Sequence, residues 1–526
     1  MSLTKVTFSM LADAPINLKD FGAVGDGVAD DTSALTAFFA ASTGKICFLP
    51  AGTYRTTSLI TTALTNCKFV GVPGQTTIVG AFGYAVLRLL DLDSVVFEDI
   101  AFQTNYVNAV EDQSFSVVYI RQANAKNVTF NRCRFSSPDA NTTGLTFYIN
   151  TLSTDTYTCS GLRIIDCDFK DVGRIGCTLM NRSTQTGNYG MFTDTVFSYN
   201  RGTDMGLSGS YGFLISLDGY GEGFEISHNT VDGYLDIGIE NTGWVDGDIS
   251  FNTFTNAGPL TSPFTSSDRP MTNVVWEGNR TITPATRHVS LVNISRCTIR
   301  DNYVEINGSD ATVAQALLLR GATNNNFNMN TWKNVSTVAA SGRYAASIEG
   351  VTALPITDNI FTDDVFDNSS SPGNFSAVRL VATATDVQNN LFIRPNIIKG
   401  TGGNIIDEVS VAGTSANNLC SDLRTALLSA IGSNDYVSVT PATDADVTLS
   451  VYQYSSKIIR INTGALTTNR NVIMPTAIIT PVTIVNASLY TVTVKTSAGT
   501  GVSIATGKTA IVASNGTNIT RLTADA

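Results

Sequence analysis

The densest supply of proton-transfer groups lies between Leu217 and Asp248, where Asp218, Glu222, Glu225, Asp232, Asp236, Glu240, Asp246 and Asp248 fall within a chain only 15% charged. Tyr220, Phe224, Tyr234 and Trp244 interleave with them. Carboxyls beside aromatic rings suit a sugar-cleaving groove, because rings cover the apolar faces of pyranoses while carboxyls bind hydroxyls and move protons. In Asp236-Ile237-Gly238-Ile239-Glu240, strand alternation turns both isoleucines inward and both carboxylates outward, about 13 Å apart. That exceeds the ~5–9.5 Å of hydrolytic pairs, so each would need an acid on a neighbouring strand or turn. Glu225 and Asp248 each stand four residues before an asparagine, Asn229 and Asn252. As equivalent outward positions of adjacent repeats they would lie ~5 Å apart at the backbone, inside the range of a retaining pair, and two such carboxylates raise one pKa.

The expected catalytic carboxylates are therefore Asp236, Glu240, Glu225 and Asp248. The expected sugar contacts are Asp218, Tyr220, Glu222, Tyr234, Trp244, Arg174, Arg182 and His288. Solvated surface charge is the blander account of any one of these acids taken singly. Two other chemistries stay open. A lyase needs a base near a uronate α-proton and a cation for its carboxylate, for which Arg174, Arg182, Arg201 and His228 are available; a spike that only binds glycan needs neither. Glu277 and Arg300 occupy equivalent positions of consecutive repeats and read as a structural ion pair. With two histidines far apart, a zinc or iron centre is not expected and no cofactor is implied, although an oxygen-ligated calcium ion stays open. The eight cysteines are irregularly spaced and read as buried free thiols.

What must position these groups is a repeat. An apolar residue, two variable ones, a small or amide residue, one variable residue and a second apolar one recur as Phe97..Ile100..Phe102, Phe130..Cys133..Phe135, Ile164..Cys167..Phe169, Phe192..Thr195..Phe197, Ile226..Asn229..Val231, Ile249..Asn252..Phe254, Trp276..Asn279..Thr281, Ile299..Asn302..Val304, Phe327..Asn330..Trp332, Ile356..Asn359..Phe361 and Val387..Asn390..Phe392. Periods in the twenties and thirties mean a stacked array. Within a unit, apolar and polar residues alternate at strand spacing with no room for a crossover helix, so the units read as coils of a parallel β-helix whose corner asparagines stack in a ladder. Roughly eleven coils at ~4.8 Å make a rod about 50 Å long.

The rest of the composition sets limits. A net charge of −11 argues against nucleic acid, which needs a basic face. No apolar run reaches the ~18 residues of a membrane span, and Met1-Ser2-Leu3-Thr4-Lys5 leads into no signal-peptide core, so a soluble chain without membrane insertion is expected.

Residues 16–60 carry Phe21-Gly22-Ala23, Gly25-Asp26-Gly27, Asp30-Asp31-Thr32 and Phe48-Leu49-Pro50-Ala51-Gly52-Thr53-Tyr54. Asp30, Asp31 and Thr32 offer N-cap oxygens to a helix whose Leu35, Phe38 and Phe39 share one face, a lid for the open end of a stack. This segment resembles the start of the pectate-lyase-like superfamily of right-handed β-helix proteins in the form found in bacteriophage tailspikes, and Lys5 to Met10 looks like the neck that precedes it there. The resemblance implies a polysaccharide depolymerase acting on a bacterial surface polysaccharide such as capsule, exopolysaccharide or O-antigen. It also implies a homotrimer located on the virion at the phage tail, joined through its N-terminus to the tail or another tailspike. With the neck at the very start, a head domain is expected to be absent or very small. Polygalacturonases of that superfamily carry a Gly-His-Gly motif that this sequence lacks, so their catalytic residues do not transfer.

The expected fold is all-β: a right-handed parallel β-helix with an N-terminal capping helix and a small C-terminal β-sandwich-like domain. Its divisions are a neck at 1–15, a cap with first strands at 16–80, the β-helix at 81–409, a linker with a short helix at 410–436, and a C-terminal β-domain at 437–526. In the linker, Leu423, Leu427, Leu428 and Ile431 make a narrow apolar stripe, for packing on the rod end or for three-fold contact. The last domain alternates Val, Ile and Thr between Gly- and Asn-rich turns and resembles tail-fibre β-domains that serve trimerisation or secondary glycan contact.

Overall fold

The computed structural model describes residues 15–80, 85–105, 116–121, 123–139, 141–149, 157–181, 192–206, 212–234, 236–257, 262–266, 269–283, 289–307, 314–336, 343–351, 353–370, 376–382, 385–399, 406–410, 415–416, 418–421, 436–449, 453, 457–474, 476 and 478–523. The neck before residue 15, Arg182, His288 and the helix expected around Leu423 lie outside these residues.

From Ile16 to Ser421 the chain winds as a parallel β-helix. Each coil lays down three strands, as in Ile237–Asn241, Trp244–Ser250 and Thr253–Ala257. Each of these pairs in parallel with its counterpart one coil earlier, because the inward side chains alternate with period two and a slip of one residue would expose them all. The third strands form one sheet of fourteen, from Asp26–Asp30 to Asn396–Ile398, rather than the roughly eleven coils expected. The surplus comes from segments without the corner signature: Gly52–Thr56 already pairs in register with Thr76–Gly80, and that strand with Ala101–Thr104, so winding begins within the cap. At the other end Leu419–Ser421 still pairs with Leu391–Ile393.

Inside the rod, like residues stack at the strand spacing. Phe69, Phe97 and Phe130 lie face to face with centroids 5.0 Å apart at each step, and Phe102, Phe135 and Phe169 follow at 5.6 and 5.1 Å. Helix Thr32–Ala40 closes this column, burying Leu35, Phe38 and Phe39 and setting the last two rings 6.0 and 5.0 Å from Phe69. Its cap differs from expectation. The Asp31 carboxylate makes no capping bond and instead accepts from the Val24 and Gly25 backbone N–H groups at 2.6 and 3.0 Å, while Asp30 accepts from the Thr32 N–H at 3.0 Å.

The corner between second and third strands holds the ladder. Cys167, Asn200, Asn229, Asn252, Asn279, Asn302 and Asn330 each donate their backbone N–H to the side-chain oxygen one coil on, ending at Asp364. The steps are 33, 29, 23, 27, 23, 28 and 34 residues. The Asn252 amide also donates to the Ile226 carbonyl at 2.9 Å, so buried polar groups of the turn are satisfied inside the rod. Thr195, Asn359 and Asn390 are not on this ladder. They stand in a second column, five residues upstream, that runs through Cys297, Asn325, Asn359, Asn390 and Asn418 in the later coils. Both columns follow the same apolar-x-x-polar-x-apolar pattern, and the sequence pattern jumps from one to the other at Phe192 and Ile356.

The C-terminal unit has two sheets, of five and four strands. Unlike an ordinary antiparallel sandwich it begins by winding. Tyr436–Val439, Ile458–Asn462 and Ile478–Ala487 pair in parallel in one sheet, and Val447–Thr448, Arg470–Met474 and Val492–Thr496 in the other, before antiparallel pairings close the unit. Ile459, Ile461, Ile484, Val492 and Val494 fill its own core.

Candidate active groove

The parallel register of Gly221–Ser227 with Trp244–Ser250 places Glu225 beside Asp248 on the outward side of the second face, with the buried Ser227 and Ser250 side by side next to them. Two left-handed bends frame this patch on each strand: Gly223 and His228 on one, Asp246 and Phe251 on the next, with φ of 65°, 57°, 55° and 54°. A cavity of about 760 Å³ lies there, lined by Glu225, Ser227, His228, Asp248, Ser250 and Phe251 among others. A neighbouring one of about 570 Å³ adds Asp194 and Glu222 and shares Glu225 and Asp246, so the two form one groove across successive coils.

The two central carboxyls differ in environment. Ser227 Oγ donates to Glu225 Oε1 at 2.5 Å, and Glu225 is exposed. Asp248 is half-buried, and its Oδ1, shielded from solvent, has no hydrogen-bond partner. Burial pushes the Asp248 carboxyl above the usual aspartate value; a hydrogen bond with Ser250 restrains the rise, the negative charges of Glu277 and Glu225 add to it, and Arg300 opposes it. Glu277 sits opposite Ser250 and pairs with Arg300 at 2.6 Å, the ion pair the sequence implied.

His228 and Phe251 line one side of the groove, and Tyr199 extends their stack beyond it. Tyr199, His228 and Phe251 occupy the left-handed corner of three consecutive coils and stack outward, with centroids 4.8 Å and 5.2 Å apart. Tyr199 and Phe251 keep 59% and 50% of their surface exposed. Sequence reasoning missed these two rings, and it considered His228 only as a base. The signal was present, since each directly precedes a ladder asparagine, as in Tyr199-Asn200, His228-Asn229 and Phe251-Asn252. Placing Thr195 on the ladder hid the first of them.

The other expected residues scatter. Asp236 and Glu240 lie on the first face, not in this groove: Glu240 accepts from Ser216 Oγ, and half-buried Asp236 is raised above its usual value by desolvation. Asp218 is nearly buried at the corner between those faces, where Arg269 lies 3.7 Å from its carboxylate and 5.0 Å from the Tyr220 ring centroid. Tyr234 and Trp244 are corrections, because both are core residues. Tyr234 takes an inward position edge-on to Phe254, and the Trp244 indole fills the space left by Gly221, 5.3 Å from Phe192. Arg174 is likewise buried, and Arg201 stands on the third face. Among the described residues, Glu222 is the one expected sugar contact that lines the groove. Among the described residues no cluster of three His, Cys, Asp or Glu side chains could hold a metal ion.

Residues 15–225 match the family model described as rhamnogalacturonase A/epimerase, pectate lyase-like. No curated protein matches the sequence. Among solved structures, the catalytic unit of a GH87 α-1,3-glucanase from Streptomyces thermodiastaticus is 13% identical at a TM-score of 0.43, with 79% of this chain and 71% of that one covered. The A-module of the mannuronan C-5 epimerase AlgE6 of Azotobacter vinelandii is 16% identical at 0.43, covering 77% and 99%. Tailspike protein 3 of bacteriophage CBA120 is 13% identical at 0.42, covering 77% of this chain and 58% of that one.

Proposed function

We propose that the chain is a polysaccharide-cleaving enzyme, a hydrolase that uses Asp248 and Glu225 on adjacent coils. The observation that carries this reading is the pairing of these two outward carboxyls in one groove, one exposed and accepting from a serine, the other half-buried and raised. Neighbouring parallel strands stand ~4.8 Å apart at the backbone, so outward side chains in register can bring two carboxyls to the ~5–5.5 Å at which double displacement works. Asp248, whose protonated form burial favours, gives its proton to the glycosidic oxygen as the bond to the anomeric carbon breaks. Glu225 attacks that carbon and forms a glycosyl ester. The Asp248 carboxylate then takes a proton from water, whose oxygen displaces Glu225.

A tailspike setting fits this chemistry. The substrate is then a bacterial surface polysaccharide, the assembly a homotrimer at the phage tail, and the C-terminal unit a trimerisation or secondary glycan module. Support for that setting is the N-terminal motif resemblance alone. Among the described residues a lyase finds no cation in the groove: Arg174 is buried, Arg201 is on another face, and Arg300 is engaged by Glu277. The test is incubation with purified capsular and O-antigen polysaccharides, reading reducing ends and product masses. New reducing ends with water added support hydrolysis. Products with an unsaturated uronate end, or no cleavage of any polymer, oppose it.

A further inference from the structure

The left-handed corner that carries Tyr199, His228 and Phe251 recurs in the coils on either side, where Asp166, Gly278 and Asp301 occupy it. Glycine and aspartate suit a positive φ, and histidine tolerates it better than most residues, but tyrosine and phenylalanine are strained there. Burial does not offset that strain, because half or more of the Tyr199 and Phe251 surfaces stays in solvent. What the two rings do contact is His228. Its imidazole lies between them, 4.8 Å from Tyr199 at an interplanar angle of 15° and 5.2 Å from Phe251 at 32°. Both faces of the imidazole are therefore covered, and what this exposed residue presents to solvent is its ring edge, which carries the two nitrogens.

Outside the reacting pair, that edge is the uncommitted polar group of the cavity. Glu225 is engaged by Ser227, Asp248 by Ser250, and Asp246 by Asn273, whose own side-chain oxygen accepts from Arg296 at 3.0 Å. Among the described residues neither imidazole nitrogen of His228 has a hydrogen-bond or ion-pair partner, while its backbone N–H donates to the Ser250 carbonyl at 3.0 Å. A neutral imidazole offers a donor on one nitrogen and an acceptor on the other, the two functions that match a sugar hydroxyl. The two flanking rings fix its orientation before anything binds, so little side-chain freedom is lost in making those bonds. His228 follows Glu225 by three residues, at most about 10 Å along an extended strand, which sets it against a sugar beside the cleaved linkage rather than against the reacting carbon.

Building on the hydrolase reading, we propose that His228 is the substrate-binding residue that holds the sugar next to the cleaved linkage: its ring edge gives one hydrogen bond to, and takes one from, free hydroxyls of that sugar. Tyr199 and Phe251 are positioning residues, which clamp the imidazole and leave its nitrogens to the glycan. A unit whose hydroxyls are capped by O-acetyl or O-methyl groups would leave those nitrogens without a match and is disfavoured there.

The test is affinity electrophoresis of the full chain through gels containing purified capsular or O-antigen polysaccharides, run in the Asp248→Asn background so that polymer is held and not cut. Reducing-end release by the chain with Asp248 intact supplies kcat and KM. His228→Phe keeps the ring stack and removes the nitrogens; it should weaken retardation and raise KM about tenfold with kcat within about threefold, because the lost contact is made equally in the ground and transition states. His228→Gln, whose amide again offers a donor and an acceptor, should recover part of the loss. Tyr199→Ala opens one side of the clamp and should raise KM by less, about threefold. All three sites of change are exposed, so circular dichroism should stay unchanged. Retardation and KM undiminished in His228→Phe, a loss confined to kcat, or no retardation by any polymer would overturn the proposal. Retardation that depends on the nitrogens, without cleavage by the parent, would leave it standing and sink the hydrolase reading; cleavage by a chain indifferent to His228→Phe would do the reverse.

Discussion

Two pairs of carboxyls were conspicuous in the same stretch of sequence, and the structure treats them differently. Asp236 and Glu240 are neighbours along one strand, and an extended chain holds them too far apart to share a reacting bond. Glu225 and Asp248 are 23 residues apart in sequence yet stand side by side across a coil boundary. In a stacked coil, chemistry is assembled across the repeat rather than along it, and the coil length decides which residues meet. The left-handed bends then decide what surrounds them: a groove edged by His228 and Phe251 on the second face, and on the first face a glutamate held by Ser216.

The sharpest way to break this comparison is to convert each acid to its amide. Asp248→Asn and Glu225→Gln should each lower turnover by about 10²-fold or more with modest loss of binding, because the lost interaction is made chiefly in the transition state. Asp236→Asn and Glu240→Gln should stay within about threefold of the parent, as expected of groups outside the reacting geometry. Reducing-end release over time measures all four, and equal losses at both pairs would erase the distinction.

The ladder that sets the coil register offers the next largest effect. Asn252→Ala takes the acceptor from the Asn229 backbone N–H and the amide donor from the Ile226 carbonyl, at about 1–3 kcal/mol for each buried group left unsatisfied. Chemical denaturation should show it as a lower midpoint with retained β signal, and an unchanged midpoint would deny the ladder its role in fixing Glu225 against Asp248.

Asp364, the acid that ends the ladder, makes a pH prediction. It accepts both Asn330 donors on Oδ1, its Oδ2 is unpartnered, and burial raises it from 3.8 to about 8. Its neutral form is the one the fold accommodates, so the contribution to stability is complete below its unfolded value and is lost as pH rises through the folded one. Thermal midpoints should therefore fall between about pH 4 and pH 8 by more in the parent than in Asp364→Asn, whose amide continues the ladder without titrating. Parallel pH profiles for the two proteins would contradict this.

The smallest effect concerns the tuning of Asp248. Its carboxyl is raised first by burial and then by Glu277 and Glu225. Glu277→Gln removes one like charge and frees Arg300, and both changes favour the ionised form. The descending, alkaline limb of kcat/KM should move to lower pH, by less than about one unit given the partial exposure of these groups. A shift upward would mean that another group is the acid.

Much of this fold was legible because stacking writes itself into the sequence as a period. Phe130..Cys133..Phe135 and Ile249..Asn252..Phe254 were read at their true corner, while Thr195 and Asn359 were read at the wrong one, since two corners five residues apart share one pattern. That slip concealed Tyr199. The Glu225–Asp248 register was legible because the ladder asparagines four residues downstream are true equivalents. Which aromatic residues face solvent was not: Trp244 and Tyr234 look like sugar platforms by composition, but alternation sends them into the core, whereas Phe251 escapes outward only because its backbone turns left-handed. The local chain trace decides that, and no residue type announces it.

The account rests on Glu225 and Asp248 standing in register on adjacent coils and acting together by double displacement, and the stereochemistry of cleavage tests that most directly. Proton NMR of the first products released from a polysaccharide substrate, recorded before mutarotation, should show the anomeric configuration of the cleaved linkage retained. Products with inverted configuration would require more widely separated carboxyls and would contradict the pairing of Glu225 with Asp248 as the catalytic centre.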